Sequence, residues 1–319
     1  MMFGSNTLGN GWVVPADDAA ITAAAQLLRA GQIVAIPTET VYGLAADAQN
    51  AEAVAHIYAA KGRPDFNPLI VHVRDRKAAE KLGVFNATAQ ALTEAFWPGP
   101  LTLVVPLQPD APVARAVTAG LLTIAIRCPA HPVMQALLLK SDLSLAAPSA
   151  NRSGAISPTR ADHVLKGLGG AVPMILDGGP CSAGLESTIV AVRDDGWQLL
   201  RPGPVSAMEI ERTLGYPPLS LPMGSIEAPG QMASHYAPSK PVRLNVTAPV
   251  RDEYLIGFGA VAGDENLSVT GDLAQAAANL FEALHNADES SATAIAVAPI
   301  PQEGIGIAIN DRLSRAAVR

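Results

Sequence analysis

"QIVAIPTETVYGLAADA", Gln32 to Ala48, sets the fold class. Its first half, "QIVAI", is a short apolar run rich in β-branched residues and reads as a buried strand. It follows "DDAAITAAAQLLRAG", where Ile21, Ala24, Leu27 and Leu28 share one helical face and Gly31 marks the stop. Helix, buried strand and polar turn in succession are the rhythm of an α/β sheet. Pro37 stiffens the strand exit, and Thr38, Glu39 and Thr40 stand at the strand's C-terminal end, where open α/β sheets bind ligands. On their own these groups also suit a plain turn with helix-capping chemistry.

The same alternation continues outward to residue 215. "NAEAVAHIYAAKG" offers Asn50 as an N-cap, Val54, Ile57 and Tyr58 on one stripe, and Gly62 beyond the end. "LIVHV", "LTLVV", "TIAI", "LSLAA", "MILD" and "STIVAV" are further strands. "SAMEIERTL" opens with the capping-box spacing Ser206…Glu209. Periodicity then disappears between Tyr216 and Lys240, a proline-rich stretch with scattered glycine that reads as a long linker. "EYLIGFG", the helical "DLAQAAANLFEALHNAD", "AIAVAPI" and "IGIAINDRLSRAA" form a second, smaller α/β unit. The predicted organisation is a domain over 1–215, a linker over 216–240 that is long enough to fold back over a ligand site as a lid, and a small domain over 241–319.

With 319 residues, 49% hydrophobic and 16% charged, the chain has ample material for a core. No apolar run reaches the roughly 18–20 residues that cross a bilayer, and "MMFGSNTLGNGWVVPADD" lacks the pattern of a signal peptide. Two lone cysteines, Cys128 and Cys181, give neither a disulfide framework nor a zinc motif, so a reduced, cytoplasmic setting is expected. The net charge is −7, and residues 241–319 hold 5 Lys and Arg against 10 Asp and Glu. A broad nucleic-acid footprint is not expected from such a balance, although local positive pockets are compatible with it.

Familiar nucleotide and hydrolase signatures are absent: no GxxxxGK[ST], no GxSxG and no HExxH occurs. "GFGAVAG", Gly257 to Gly263, places its third glycine one residue late for GxGxxG and reads as a strand and turn. What remains is a set of polar clusters at strand ends. "KGRPDFNPLIVHV" sets Lys61, Arg63 and His72 around a turn, either as a solvated loop or as a rigid platform against an anion. "TIAIRCPAHP" puts Arg127 after a strand, as a salt-bridged rim residue or as a carboxylate fork. "AAPSANRSG" crowds Ser149, Asn151 and Ser153 into a turn that suits an anion nest or a simple Asx/ST turn. "GLESTIV" brings Ser187 and Thr188 to a strand start, and "LLRPGP" brings Arg201 to a strand end. His56, His163 and His285 fall in helical patterns and read as surface or satisfied side chains. No histidine is a sequence neighbour of either cysteine, so a cysteine nucleophile is not read. Cations, hydroxyls and stiffened turns without a nucleophile–base pair suit phosphoryl chemistry done by positioning and charge stabilisation.

"PTETVYGLAADA", "KGRPDFNPLIVHV", "FWPGPLTLVV", "TIAIRCPAHP", "AAPSANRSG", "ESTIV" and "LLRPGP", in this order, resemble the YrdC family of threonylcarbamoyl-AMP synthases. "APGQMASHYAP" in the linker resembles the family's long, two-domain form. The resemblance implies a twisted mixed-sheet domain with a concave ligand cavity, followed by a smaller Rossmann-like α/β domain. It also implies a nucleotidyltransferase reaction in which L-threonine, bicarbonate (or CO2) and ATP give L-threonylcarbamoyladenylate and pyrophosphate. A separate transferase complex would then pass the threonylcarbamoyl group to tRNA, with direct tRNA binding by this chain weak or absent.

By the same resemblance, Lys61 and Arg63 face the triphosphate and are the catalytic cations, with Asn67 shaping their turn. Thr38, His72, Arg127, Ala147 and Ser187 surround threonine. Thr123, Ser149, Asn151, Ser157 and Arg201 line the nucleotide side, and Tyr236 reaches in from the linker. Mg2+ rides on the ATP phosphates, with no metal site formed by protein ligands alone. Three rival readings are an RNA-binding module, the related carbamoyl-adenylating domain of hydrogenase maturation proteins, and a catalytically silent nucleotide sensor. The acidic balance and 4% aromatic content oppose the first, and the missing CxxC motifs oppose the second.

Overall fold

The computed structural model describes residues 12–64, 66–220, 227–229 and 235–318. The first domain supplies strands β1 (Trp12–Pro15), β2 (Val34–Ile36), β3 (Gly43–Asp47), β4 (Ile70–His72), β5 (Leu101–Pro106), β6 (Thr123–Arg127), β7 (Leu145–Ala146), β8 (Met174–Asp177), β9 (Thr188–Arg193) and β10 (Gly196–Arg201). They form one 10-stranded sheet in the order β1-β8-β2-β3-β7-β4-β6-β5-β9-β10. Pairing is mixed. β4 runs parallel to β6 and β5 to β9, while β3, β7 and β10 run antiparallel to their neighbours. Helices α1 (Asp18–Arg29), α2 (Ala51–Lys61), α3 (Arg76–Ala79), α4 (Ala87–Phe96), α5 (Arg115–Thr118), α6 (Pro132–Ser141), α7 (Ala161–Leu168) and α8 (Ala207–Leu214) complete the domain.

Local chemistry accounts for most boundaries. Asn50 Oδ1 accepts from the backbone N–H of Glu52 and Ala53 at the start of α2, and Gly62 ends it at φ 58°. Ser206 and Glu209 form the full capping box of α8, which Gly215 closes. Sequence reasoning missed β1, β3 and two short strands of the second domain, β11 (Val242–Arg243) and β13 (Glu265–Asn266); of these the most deeply buried is β3. Its "GLAAD" is poor in β-formers, but pairing to β2 on one side and β7 on the other overrides propensity.

Register brings the polar strand ends together. His72 of β4 stands opposite Arg127 of β6, which stands opposite Thr102 of β5. Opposed residues of neighbouring strands point to the same face, so these side chains share one side of the sheet.

The second domain holds β11 (Val242–Arg243), β12 (Glu253–Gly257), β13 (Glu265–Asn266) and β14 (Ala294–Val297), with helices α9 (Leu273–Glu289) and α10 (Gly306–Ala316). Its order is β11-β14-β12-β13, every pair parallel, as in a small Rossmann-like sheet. It packs against the first domain through a shared core. Val41, Ile156, Leu185 and Tyr236 are buried with Leu280, Phe281, Leu284, Ile309 and Leu313. Gly184 permits this approach: its φ is +68°, and a Cβ there would lie 2.4 Å from Ala278 Cα. Arg160–Glu282 and Lys166–Glu289 ion pairs, both at 2.6 Å, stand at the rim. His163 stacks on His285 across the boundary at 3.9 Å between ring centres, while His56 is exposed.

Candidate active site

The ends of β2, β4 and β6, the turn after β7 and the entry to β9 converge on one small cleft. One end is built on the turn after β2. Thr38 Oγ1 donates to Val41 O at 2.6 Å, accepts from the N–H of Thr40 and Val41, and lies 2.8 Å from Thr40 Oγ1. Arg127 enters from β6. Its Nη1 donates to Thr40 Oγ1 at 2.8 Å, its Nε to Gly99 O at 3.2 Å, and its Nη2 lies 2.6 Å from Glu39 Oε1. Burial raises the Glu39 carboxyl, but the Arg127 charge, its hydrogen bond and backbone hydrogen bonds together hold the group below its ordinary value. His72 lies alongside. Burial and then Arg127 press its pKa down to about 3, so the ring is neutral, and its Nδ1 has no partner among the described residues. With a base that weak, the imidazole orients rather than carries protons at neutral pH.

The other end is cationic. Arg63 lines the cleft, with Nε donating to Asn67 O and Nη2 to Pro68 O at 2.9 Å. Burial lowers its pKa to about 10, which leaves it charged at neutral pH. Arg201 donates from Nε and Nη2 to Ser187 O at 3.1 and 2.8 Å, and Ser187 Oγ lies 2.7 Å from Thr102 Oγ1. Gly203 makes this possible, since a Cβ there would lie 2.4 Å from Thr188 N. Glu186 also lines the cleft, and its carboxylate accepts from Ser157 Oγ and from Arg312 Nε of α10. His235 and Tyr236 close this side from the linker, Tyr236 with φ 62° and a phenol oxygen that has no partner among the described residues.

The structure gathers Thr38, Arg63, His72, Arg127, Ala147, Ser149, Ser187, Arg201 and Tyr236 into this one lining. Lys61, Asn67, Thr123, Asn151 and Ser157 stand outside it. Lys61 donates from Nζ to the carbonyls of Ser149 and Asn151, both at 2.5 Å, tying the end of α2 to the cleft-lining turn. Its burial, with Arg63 adding, depresses the amine well below its ordinary value. Asn151 Nδ2 donates to Arg152 O and Ala155 O and so shapes that turn. Asn67 supplies the carbonyl that receives Arg63. Thr123 begins β6, at the far end of the strand from Arg127. The thiols of Cys128 and Cys181 are pushed up to about 11 and about 12 by burial, which suits inert side chains.

Sequence reasoning assigned no role to Glu186, His235 or Arg312. Arg312 left a visible signal: it falls on the apolar stripe of α10 with Ile309, Leu313 and Ala316.

Residues 26–203 match the family described as Telomere recombination, and residues 205–318 match the one described as Threonylcarbamoyl-AMP synthase, C-terminal domain. The chain belongs to the Sua5/YrdC family. The threonylcarbamoyl-AMP synthase of Bacillus subtilis (strain 168) is 42% identical over 327 residues, covering 94% of this chain and 94% of that relative. The synthase of Pyrococcus abyssi (strain GE5 / Orsay) is 38% identical over 320 residues, covering 93% and 94%. The crystal structure of P. abyssi Sua5 complexed with L-threonine aligns with a TM-score of 0.87 at 36% identity, covering 96% of each chain. The Sua5/YrdC likeness therefore extends through both domains.

Proposed function

We propose that this chain is a nucleotidyltransferase that makes L-threonylcarbamoyladenylate and pyrophosphate from L-threonine, ATP and bicarbonate or CO2. The observation that carries the reading is the two-ended cleft. A hydroxyl turn, a neutral histidine and the pinned Arg127 occupy one end, and the cations Arg63 and Arg201 occupy the other. The first end suits an amino acid carboxylate and hydroxyl, and the second suits phosphates. The synthases named above, similar over both domains, support the same assignment.

In this reading threonine's carboxylate docks on Arg127, and its hydroxyl lies among Thr38, Thr40 and His72. The threonine amine, as the free base, adds to CO2 and loses a proton, giving a carbamate. A carbamate oxygen then forms a bond to the α-phosphorus of ATP as the bond from that phosphorus to the β-phosphate bridging oxygen breaks, and pyrophosphate leaves. Arg63 and Arg201 stabilise charge on the phosphoryl oxygens, and Lys61 holds the Ser149–Asn151 turn against the nucleotide. Losing one such electrostatic contact lowers rate on the order of 10²–10³-fold. Mg2+ enters as part of the ATP substrate, carried on its phosphates. That fits a lining whose carboxylate, Glu186, is already engaged by Arg312 and Ser157.

The adenylate is handed to a separate tRNA threonylcarbamoyl transferase complex, with direct tRNA binding by this chain weak. The free, buried Cys128 and Cys181 fit a reducing cytoplasm, and no described helix is long and apolar enough to cross a membrane.

The test is pyrophosphate release with each amino acid in turn, with and without bicarbonate. Threonine should be preferred. Serine should follow, because one methyl in an apolar pocket discriminates by only about 1–3 kcal/mol. Equal turnover with alanine, or turnover indifferent to bicarbonate, would overturn the assignment.

A further inference from the structure

Arg312 belongs to the C-terminal domain and is 0% exposed, on the face of α10 that packs into the shared core. A guanidinium so placed must find partners, and it finds them across the domain boundary. Nε donates to Glu186 Oε2 at 2.8 Å, and Nη2 reaches the Glu186 carbonyl at 3.4 Å. Nη1 donates to Asp311 at 2.7 Å, which anchors the far side of the fork on its own helix. The guanidinium carbon also lies 5.3 Å from the ring centre of Tyr236, within cation–π range. Both residues that Arg312 touches in this way line the cleft. Glu186 is followed directly by Ser187, whose carbonyl holds Arg201. α10 thus braces the wall that carries Glu186, Ser187, Arg201 and Tyr236.

Glu186 is the carboxylate among the described residues lining a cleft read here as a site for ATP. Left uncompensated, it would repel the phosphates. We infer that Arg312 is a positioning residue for the nucleotide half of the site, directing Glu186 and Tyr236 and cancelling the Glu186 charge from behind. This gives the C-terminal domain a part in ATP binding, and it rests on the function proposed above. Glu186 faces Arg312 from α10, Arg201 from β10, and His235 and Tyr236 from the linker. Burial alone would raise its carboxyl, and the Arg312 charge, then that of Arg201, hold it below the ordinary value.

The experiment uses the full chain with Arg312→Met, which keeps an unbranched apolar stem and removes the guanidinium and its charge. ATP affinity is measured by calorimetry between pH 6 and 8, and steady-state constants are measured alongside. The variant should bind ATP more weakly on the order of tenfold at pH 8, with the threonine KM little changed. Its ATP affinity should recover as pH falls, because the unpaired Glu186 then takes up a proton, while the unaltered chain stays flat. Arg312→Met combined with Glu186→Gln should restore ATP binding at every pH. A folded Arg312→Met chain whose ATP affinity is unchanged, or is lowered with no pH dependence and no rescue, would overturn the inference.

If Arg312→Met does not fold, Glu186→Gln alone decides. Freed of the carboxylate, Arg312 should tighten ATP binding, most visibly at low salt, and weaker binding would count against the inference. Because the readout is ATP binding, it stands apart from the proposed reaction. An unaltered chain that binds ATP but releases no threonine-dependent pyrophosphate would refute that reaction and leave Arg312 testable.

Discussion

Arg127 is held from three directions, by Gly99, Thr40 and Glu39, and removing it does two things at once. It deletes the fork assigned to the threonine carboxylate, and it leaves Glu39 buried without its ion partner. Breaking a buried pair costs about 3–5 kcal/mol. Arg127→Ala is therefore expected to raise the threonine KM far more than the ATP KM, with a lowered Tm. Adding Glu39→Gln should recover much of the Tm and none of the threonine affinity. Lys61→Ala should instead lower kcat, since its Nζ secures the Ser149 and Asn151 carbonyls. Identical kinetic defects in the two variants, with unchanged stability, would refute this division of labour.

His72 and His235 add a pH dependence to stability. Both have pKa values pressed down from 6.5 to about 3, so the unfolded chain binds their protons first as pH falls. Stability should be full above pH 6.5 and decline toward pH 3, each ring contributing up to about 1.4 kcal/mol per pH unit. Urea midpoints that stay constant from pH 7 to 5 would contradict this. Of the cleft-lining residues, Arg127, Ser187 and Arg201 were legible as strand-end residues because strand ends are read locally, while their grouping came from the family resemblance. Glu186 was not, because the arginine that gives it meaning lies 126 positions away.

Among elements, α2 and α8 were legible down to their caps because Asn50, Gly62, Ser206 and Glu209 act within a few residues of themselves. β3 was not, because "GLAAD" becomes a strand only between β2 and β7. Two glycines separate local from tertiary constraint. At Gly62, with φ +58°, an added Cβ meets nothing within 4 Å, so Gly62→Ala bears only the left-handed backbone cost of about 1–2 kcal/mol. At Gly203 the added carbon would press on Thr188 N at 2.4 Å and on the Glu186 carbonyl at 2.8 Å. Gly203→Ala should therefore shift the Ser187–Arg201 contact and weaken ATP binding, with about 1–3 kcal/mol lost to overpacking. Urea denaturation and ATP saturation of the two variants make the comparison. Unimpaired ATP binding in Gly203→Ala would show that the contact tolerates a methyl group.

At the scale of the whole molecule, the two domains were legible because periodicity lapses after Gly215 and returns after Lys240, but their docking was not. It depends on Val41, Ile156 and Leu185, scattered apolar residues outside the regular elements, meeting α9 and α10. A chain ending near Gly215, which sequence alone suggests should fold, would expose those residues and unpair Glu186. The linker is better tested in place.

Of residues 216–240, positions 221–226 and 230–234 lie outside the described residues, so the lid expected over the cleft is judged on the others. Glu227 receives both terminal nitrogens of Arg193 at 2.9 Å, Ala228 is buried with Ile70, Val104 and Ile189, and Pro229 O accepts from Arg201. Tyr236 then lines the cleft beneath Arg312. A linker held at both points can exclude water from a hydrolysable adenylate and must loosen to release it. The Arg193–Glu227 pair is partly exposed, so Glu227→Ala should change stability by no more than about 1 kcal/mol. It should nevertheless raise the free AMP formed per pyrophosphate, because the adenylate meets water before transfer. Tyr236→Phe keeps the ring on Phe281 and removes only the hydroxyl, so a rise in AMP there would assign part of the seal to the phenol. If both variants retain the adenylate as well as the unaltered chain does, the segment joins the domains and does nothing more.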